Sequence, residues 1–139
     1  MNRRVVRYLG SAGTGCLAVL LTALVLSPVH AADLIINLEE PVDGGTSSGV
    51  SNIRGWAVAS DGIARIEVYF DGVFGFELPY GASRGDVEAA YPDIVGSMNS
   101  GFGAAIAYGS LGNGEHSVTV RAVSLTGDTA EDSARFEVV

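Results

Sequence analysis

Few side chains in this sequence can do chemistry, and their spacing narrows the field further. Two histidines occur, His30 and His116. His30 falls in an N-terminal leader described below, so His116 stands alone and neither a multi-histidine metal site nor a Cys/His pair can be built. His116 is in phase with Val118 and Val120, which reads as a half-buried strand histidine making a structural hydrogen bond near the strand's start. The single cysteine, Cys16, also falls in the leader and lysine is absent, so nucleophilic catalysis would fall to a serine. The G-x-S-x-G spacing occurs at Gly45–Gly49 and Gly81–Gly85, but Ser47 lies in a polar Gly/Ser loop and Ser83 reads as a helix cap, and the spacing alone does not make a nucleophile elbow. Any two of the 16 acidic residues could meet for glycosidase-type acid/base work. They sit at turns and on polar strand faces, however, where solubility and register account for them, and a chain this short leaves little wall for a cleft. No catalytic residue is expected.

Binding has more to work with. Asp61, Asp71, Asp86 and Asp93 lie in predicted loops, and carboxylates with backbone carbonyls are the ligands calcium takes. No D-x-D-x-D-G spacing joins them, so no metal or other cofactor is expected and these four stand as the calcium candidates. Arg84-Gly85-Asp86 spells an adhesion tripeptide, but internal work explains it better: Asp86 capping a helical turn and Arg84 pairing with a carboxylate or carbonyl. Trp56, the single tryptophan, needs no purpose beyond anchoring a core. Tyr69, Arg84, Asp86 and Tyr91 are the candidate binding residues, because they stand on an exposed strand face and on the longest irregular segment.

The leader sets where this happens. Arg3, Arg4 and Arg7 precede the apolar run CLAVLLTALVL, 11 residues from Cys16 to Leu26, which suits a signal-peptide core and is short of the roughly 20 residues a spanning helix needs. Pro28 ends the run, and VHA supplies a processing site after Ala31. Cys16 precedes the apolar core instead of following it, which argues against lipid attachment. Residues 1–31 are thus expected to be a cleaved signal peptide and 32–139 the mature protein, secreted or periplasmic and free of the membrane. Removing 31 of 139 residues leaves 108, enough for one domain. The mature part keeps 5 arginines against 16 acids, a net charge of −11, which repels phosphate backbones and excludes nucleic acid as a partner.

Apolar residues recur at period two between Gly, Asn and Asp punctuation, the signature of strands. Strands are predicted near Leu34–Leu38, near Asn52–Ala59 and through GIARIEVYF, where Ile66, Val68 and Phe70 share one face and Arg65, Glu67 and Tyr69 the other. Asp71-Gly72 is a two-residue hairpin turn requiring positive backbone dihedrals, and in VFGFELPY it leads to, Phe74, Phe76 and Leu78 should face the core. Further strands carry Phe102, Ala104, Ile106 and Tyr108; His116, Val118, Val120 and Ala122; and Ala134, Phe136 and Val138. Trp56, Phe70, Phe76, Val118, Val120 and Phe136 are expected to be mainly buried. About seven short strands without a long helix point to an all-β, immunoglobulin-like antiparallel sandwich. Residues 80–100 break the rhythm with 21 residues, far above a usual hairpin connection of about 2 to 5. Ser83 and Asp86 fit a capping box, and Pro92 stops the turn, so one or two helical turns should pack across a sheet edge through Val87 and Tyr91.

With these residues laid out, the stretch from Glu40 to Val139 resembles a bacterial immunoglobulin-like domain of secreted and cell-surface proteins. The likeness rests on GWA (Gly55–Ala57), IEVYFDG (Ile66–Gly72), the block from Arg84 to Phe102 containing R-x-DV, YP and SGF, and G-x-H-x-V-x-VRA (Gly114–Ala122). The resemblance implies the sandwich fold and a binding or spacer role, with no shared catalytic residues and no named ligand. The leading expectation is an exported, non-enzymatic binding module for a protein or glycan at the cell envelope or outside the cell, touching it through residues 80–100 and the face around Tyr69. The alternatives are a structural envelope or matrix protein assembling through sheet edges and, last, a small carbohydrate-active enzyme.

Overall fold

A computed structural model describes residues 6–11, 16–21 and 33–139, and the chain divides into two compact units, Met1–Ala31 and Ala32–Val139. In the first, β1 (Val6–Ser11) and β2 (Cys16–Leu21) form an antiparallel pair with Val6 opposite Leu21. Arg3, Arg4, Pro28, His30 and the processing site after Ala31 lie outside the described residues.

The second unit is a two-layer sandwich. Its strands are β3 (Leu34–Glu40), β4 (Gly45–Ser47), β5 (Val50–Ala59), β6 (Ile63–Phe70), β7 (Val73–Leu78), β8 (Tyr80–Ala82), β9 (Gly101–Ala107), β10 (Gly114–Ser124) and β11 (Thr129–Val138), with a short helix α1 (Gly85–Ala90) and single 3-10 turns at Ser97–Asn99 and Tyr108–Leu111. One sheet runs β4-β11-β10-β6-β7 and the other β3-β5-β9-β8. Each expected strand is present. The two additional ones, β4 and β8, are three residues long and come from stretches whose Gly/Ser content reads as loop; β4 is held by parallel pairing with β11.

The period-two pattern places the core. Val68 lies opposite Val120 and Ile66 opposite Ala122, Val118 opposite Ala134, and all six are buried. Ile53, Ala57, Phe102, Phe136 and Tyr108 meet them in one cluster, each large apolar side chain contributing about 1.5–3 kcal/mol through burial. The glycine of GWA is demanded by space: a Cβ on Gly55 would lie 2.0 Å from the Asn37 carbonyl oxygen and 2.7 Å from Phe102 Cζ. The Asp71-Gly72 turn has the expected positive φ angles, 49° and 79°.

Strand β7 departs from its expected phase. Phe76 pairs with Val68, but Phe74 pairs with Tyr69, so Gly75 is an extra residue and the strand is bulged. The bulge turns Phe74 to the outer face, where its ring meets Tyr69 edge-on at 5.6 Å. Phe76 keeps its packing on Phe70 at 6.4 Å but stands at a sheet edge and is exposed. Neither is a core residue: the bulge puts Phe74 on the outer face, and among the described residues no strand lies beyond β7 to cover Phe76. Trp56 and Phe70 are half-buried; Trp56 alternates with Gly55 and Ala57 and so stands on the outer side of its sheet.

Candidate contact surface

Residues 80–100 are tied down at several points. Val87 is buried, and the Tyr91 amide donates to the Val87 carbonyl at 2.8 Å as the helix ends. The Tyr91 ring packs on Trp56, with centroids 5.5 Å apart, so the exposed side of Trp56 is where this segment lands. The Arg84 amide donates to the Met98 carbonyl (2.6 Å) and the Ala57 amide to the Ser100 carbonyl (3.0 Å). The Tyr80 hydroxyl donates to the Ala57 carbonyl at 2.7 Å, and burial raises its pKa. From this scaffold Val95 (90% exposed) and Met98 (40% exposed) project outward.

Arg84 is the principal tie. Its Nη1 and Nη2 donate to the Glu39 carboxylate at 3.1 and 2.8 Å, while Nε and Nη2 donate to Asp86 at 2.8 and 2.7 Å. Glu39 belongs to β3 and Arg84 follows β8, the two edges of the four-stranded sheet, so the two side chains together bridge elements from its opposite edges. Glycine makes the passage possible: a Cβ on Gly101 would sit 2.9 Å from Ala82 Cβ and 3.1 Å from Arg84 Cγ. Glu39 is available because β3 is also irregular, with Leu38 opposite Gly55 and Glu40 opposite Arg54. A cleft of about 370 Å³ lies along this tie, lined by Glu39, Arg54, Gly55, Ala82, Arg84, Gly101 and Phe102. Its one carboxylate is already bound by Arg84, so the cleft holds no acid/base pair.

The capping box does not form. Arg84 takes the N-cap position of α1 without a side-chain bond; Ser83 directs its hydroxyl to Met98 Sδ at 3.9 Å, and the Asp86 carboxylate is drawn back to Arg84. A fork of guanidinium donors outcompetes single amides for a carboxylate two residues away. That guanidinium, first through its hydrogen bonds, holds Asp86 down at about 2. The pairing expected for Arg84 is present, and the ends of the Arg84-Gly85-Asp86 tripeptide bind each other.

Tyr69 is not part of this surface. It stands on the outer face of the other sheet, in a network where its hydroxyl donates to Glu67 (2.7 Å) and accepts from Arg121 Nη1 (2.9 Å). Arg121 lies over the Tyr69 ring at 4.7 Å and donates to Glu131 at 2.6 Å; Arg65 donates to Glu67 at 2.8 Å. These hydrogen bonds, Tyr69's first, lower the Glu67 pKa against its burial. The binding candidates thus divide: Arg84, Asp86 and Tyr91 come together, and Tyr69 is on the opposite layer.

The four aspartates named for calcium go to separate places. Asp71 accepts from the Ser117 amide at 2.9 Å and faces His116 Nδ1 at 2.7 Å, Asp86 is held by Arg84, and Asp93 is exposed. Asp61 accepts from the Thr126 hydroxyl, which lowers its pKa, while its Oδ1 is buried without a hydrogen-bond partner. Among the described residues no three His, Cys, Asp or Glu side chains are grouped to hold a metal ion, and no helix is long and apolar enough to cross a membrane. Glu39 and the Trp56–Tyr91 contact are absent from the sequence reading; both depend on bringing β3 and β5 beneath residues 80–100, for which local spacing carries no signal.

Two sheets, antiparallel except for the short β4–β11 pair, packed on one apolar core with loops built out from them, define an immunoglobulin-like domain. The model of the bacterial Ig domain family matches residues 35–120, and the chain belongs to that family. No curated protein matches it in sequence. Among solved structures, it is similar to the endo-β-1,4-mannanase of Thermotoga petrophila (17% identity, TM-score 0.53, 80% of this chain and 20% of that one). It is also similar to the fibronectin(III)-like modules of Clostridium thermocellum CbhA (16% identity, TM-score 0.53, 90% of this chain and 53% of that one). The chain therefore spans a fifth of the first and about half of the second, and at these identities the likeness is one of fold.

Proposed function

We propose that residues 32–139 form an exported, non-enzymatic binding module, released from its leader after Ala31, whose contact surface for an envelope or extracellular protein or glycan is the 80–100 segment. The observation that carries this reading is that the longest irregular segment is held by the Arg84 tie, the Tyr91–Trp56 contact and buried Val87, yet turns Val95 and Met98 to solvent. Recognition commonly resides on loops positioned by a rigid scaffold, and apolar groups held outward in a fixed shape bind with less ordering cost than a flexible loop. Membership in a generally non-catalytic family and a cleft without a carboxylate pair support a non-enzymatic role. The test is a comparison of wild type with a Val95→Asp/Met98→Asp variant in affinity capture from envelope and secreted fractions, followed by calorimetry with each captured partner. Loss of binding with an unchanged melting temperature is expected. Equal binding by the two proteins would remove the segment as the contact surface, and intact mass of exported protein beginning before Ala32 would remove the processing step.

The alternative, assembly through sheet edges, is favoured by one observation: β7 is an edge strand exposing Val73, Phe74 and Phe76. Unpaired apolar edges recruit further strands, although the Gly75 bulge interrupts this one. Sedimentation over a wide concentration range separates the readings, since edge assembly produces growth and a binding module stays small.

A further inference from the structure

We propose that His116 is a proton-dependent clip that fastens the β6–β7 hairpin turn to the turn preceding β10. Both ring nitrogens of this histidine face acceptors: Nδ1 lies 2.7 Å from Asp71 Oδ2 and Nε2 lies 3.0 Å from the Gly112 carbonyl oxygen. A carbonyl cannot donate and a carboxylate at neutral pH only accepts, so the doubly protonated ring alone makes both bonds. Asp71 is prepared for the task. Its backbone is left-handed at φ 49°, and its other oxygen accepts the Ser117 amide at 2.9 Å, which aims Oδ2 at the imidazole.

Among the described residues, one formal charge faces the ring. Asp71 reaches it from the β6–β7 turn, the Gly112 carbonyl from the turn before β10, and the Phe136 ring from β11, with centroids 6.2 Å apart. Glu115 on β10 and Glu137 on β11 are opposite one another and alternate to the other face. The ring is 15% exposed, so desolvation works against the cation, but the Asp71 bond first and the Gly112 bond second raise the His116 pKa above 6.5. A raised folded-state pKa means that the clip's contribution is complete below the unfolded value and is lost as pH rises through the folded one.

The geometry also says which half opens. Neutral imidazole keeps one proton, and the bond to a carboxylate is the stronger of the two, so the proton remains on Nδ1 and Nε2 turns a lone pair toward the Gly112 carbonyl. Residues 112–114 then separate from the ring while the Asp71 contact persists.

Nitrogen-15 NMR of the ring, with hydrogen exchange on the same protein from about pH 5 to about pH 9, tests this. The expected result is a His116 titration above 6.5, both ring nitrogens protonated below it and the Nδ1–H tautomer above it. Protection factors of amides 112–114 should fall severalfold across that transition while those of Val68 and Val120 stay constant. Asp71→Asn should bring the titration down toward the ordinary histidine value. A titration at or below 6.5 in the wild type, an Nε2–H tautomer above it, or constant protection of residues 112–114 would each overturn the proposal, and none requires a variant to fold.

Discussion

Arg84→Ala should cost the domain about 2 kcal/mol, and the reason is geometric. The guanidinium makes four charge-assisted hydrogen bonds, but they are not equivalent. Asp86 is 68% exposed and two residues away, so water replaces Arg84 there at little loss. Glu39 is 29% exposed beside an Arg84 that is 19% exposed, and it joins opposite edges of a sheet. Partly buried bonds to charged groups contribute about 1.5–3 kcal/mol, which places the whole substitution near 2. For a domain of this size that is a fall of about 10 °C in melting temperature. Arg84→Lys should recover little, because a point charge cannot hold two carboxylates in a planar fork. Asp86 is depressed by the guanidinium, so the small stability this exposed pair adds is present above the unfolded pKa and fades as pH falls toward about 2, and the Ala variant should lose that shallow acid-side slope. Thermal denaturation of wild type, Arg84→Ala, Glu39→Gln and the double variant gives the coupling directly. A coupling below about 0.3 kcal/mol would show that the contact spans the sheet without holding it, and would refute the reasoning.

Val120→Asp should unfold the protein or cost more than about 4 kcal/mol, because Val120 is fully buried opposite Val68; circular dichroism melting reads this. Phe74→Ser should cost less than about 1 kcal/mol, the size of a single aromatic pair, whereas a core phenylalanine would cost about 3–5; urea denaturation distinguishes the outer-face position from a core one. Burial pushes the Tyr108 hydroxyl up to about 12, while it donates to the Asn52 carbonyl at 3.0 Å. Its phenolate step, taken as the difference between wild type and Tyr108→Phe in an absorbance titration, should come near 12, and its stabilising effect, complete below pH 10, should be lost as pH rises beyond that.

Period-two alternation by itself determined the seven longer strands of the sandwich and most of the core. In β10, Val118, Val120 and Ala122 point one way because successive side chains of an extended chain must alternate, and all three are buried. Asp71-Gly72 determined its own turn, since few residue pairs accept two positive φ angles, and the isolation of His116 pointed to the structural hydrogen bonds it makes. Alternation fails where a residue is inserted without a local mark. Gly75 could extend a strand or bulge it, and the pairing of Tyr69 with Phe74 decided for the bulge, sending one phenylalanine to the outer face. The same limit hid the partner of Arg84. The residues from Ser83 to Asp86 carry a capping signature, but the energy of a cap is about 1 kcal/mol, and a guanidinium flanked by Asp86 and Glu39 offers more. Glu39 is 45 positions away from Arg84 in the chain; only the folding of β3 alongside β5 and β9 brings it across the sheet, so the tertiary structure alone decided how residues 80–100 are held and that Tyr69 lies on the opposite layer.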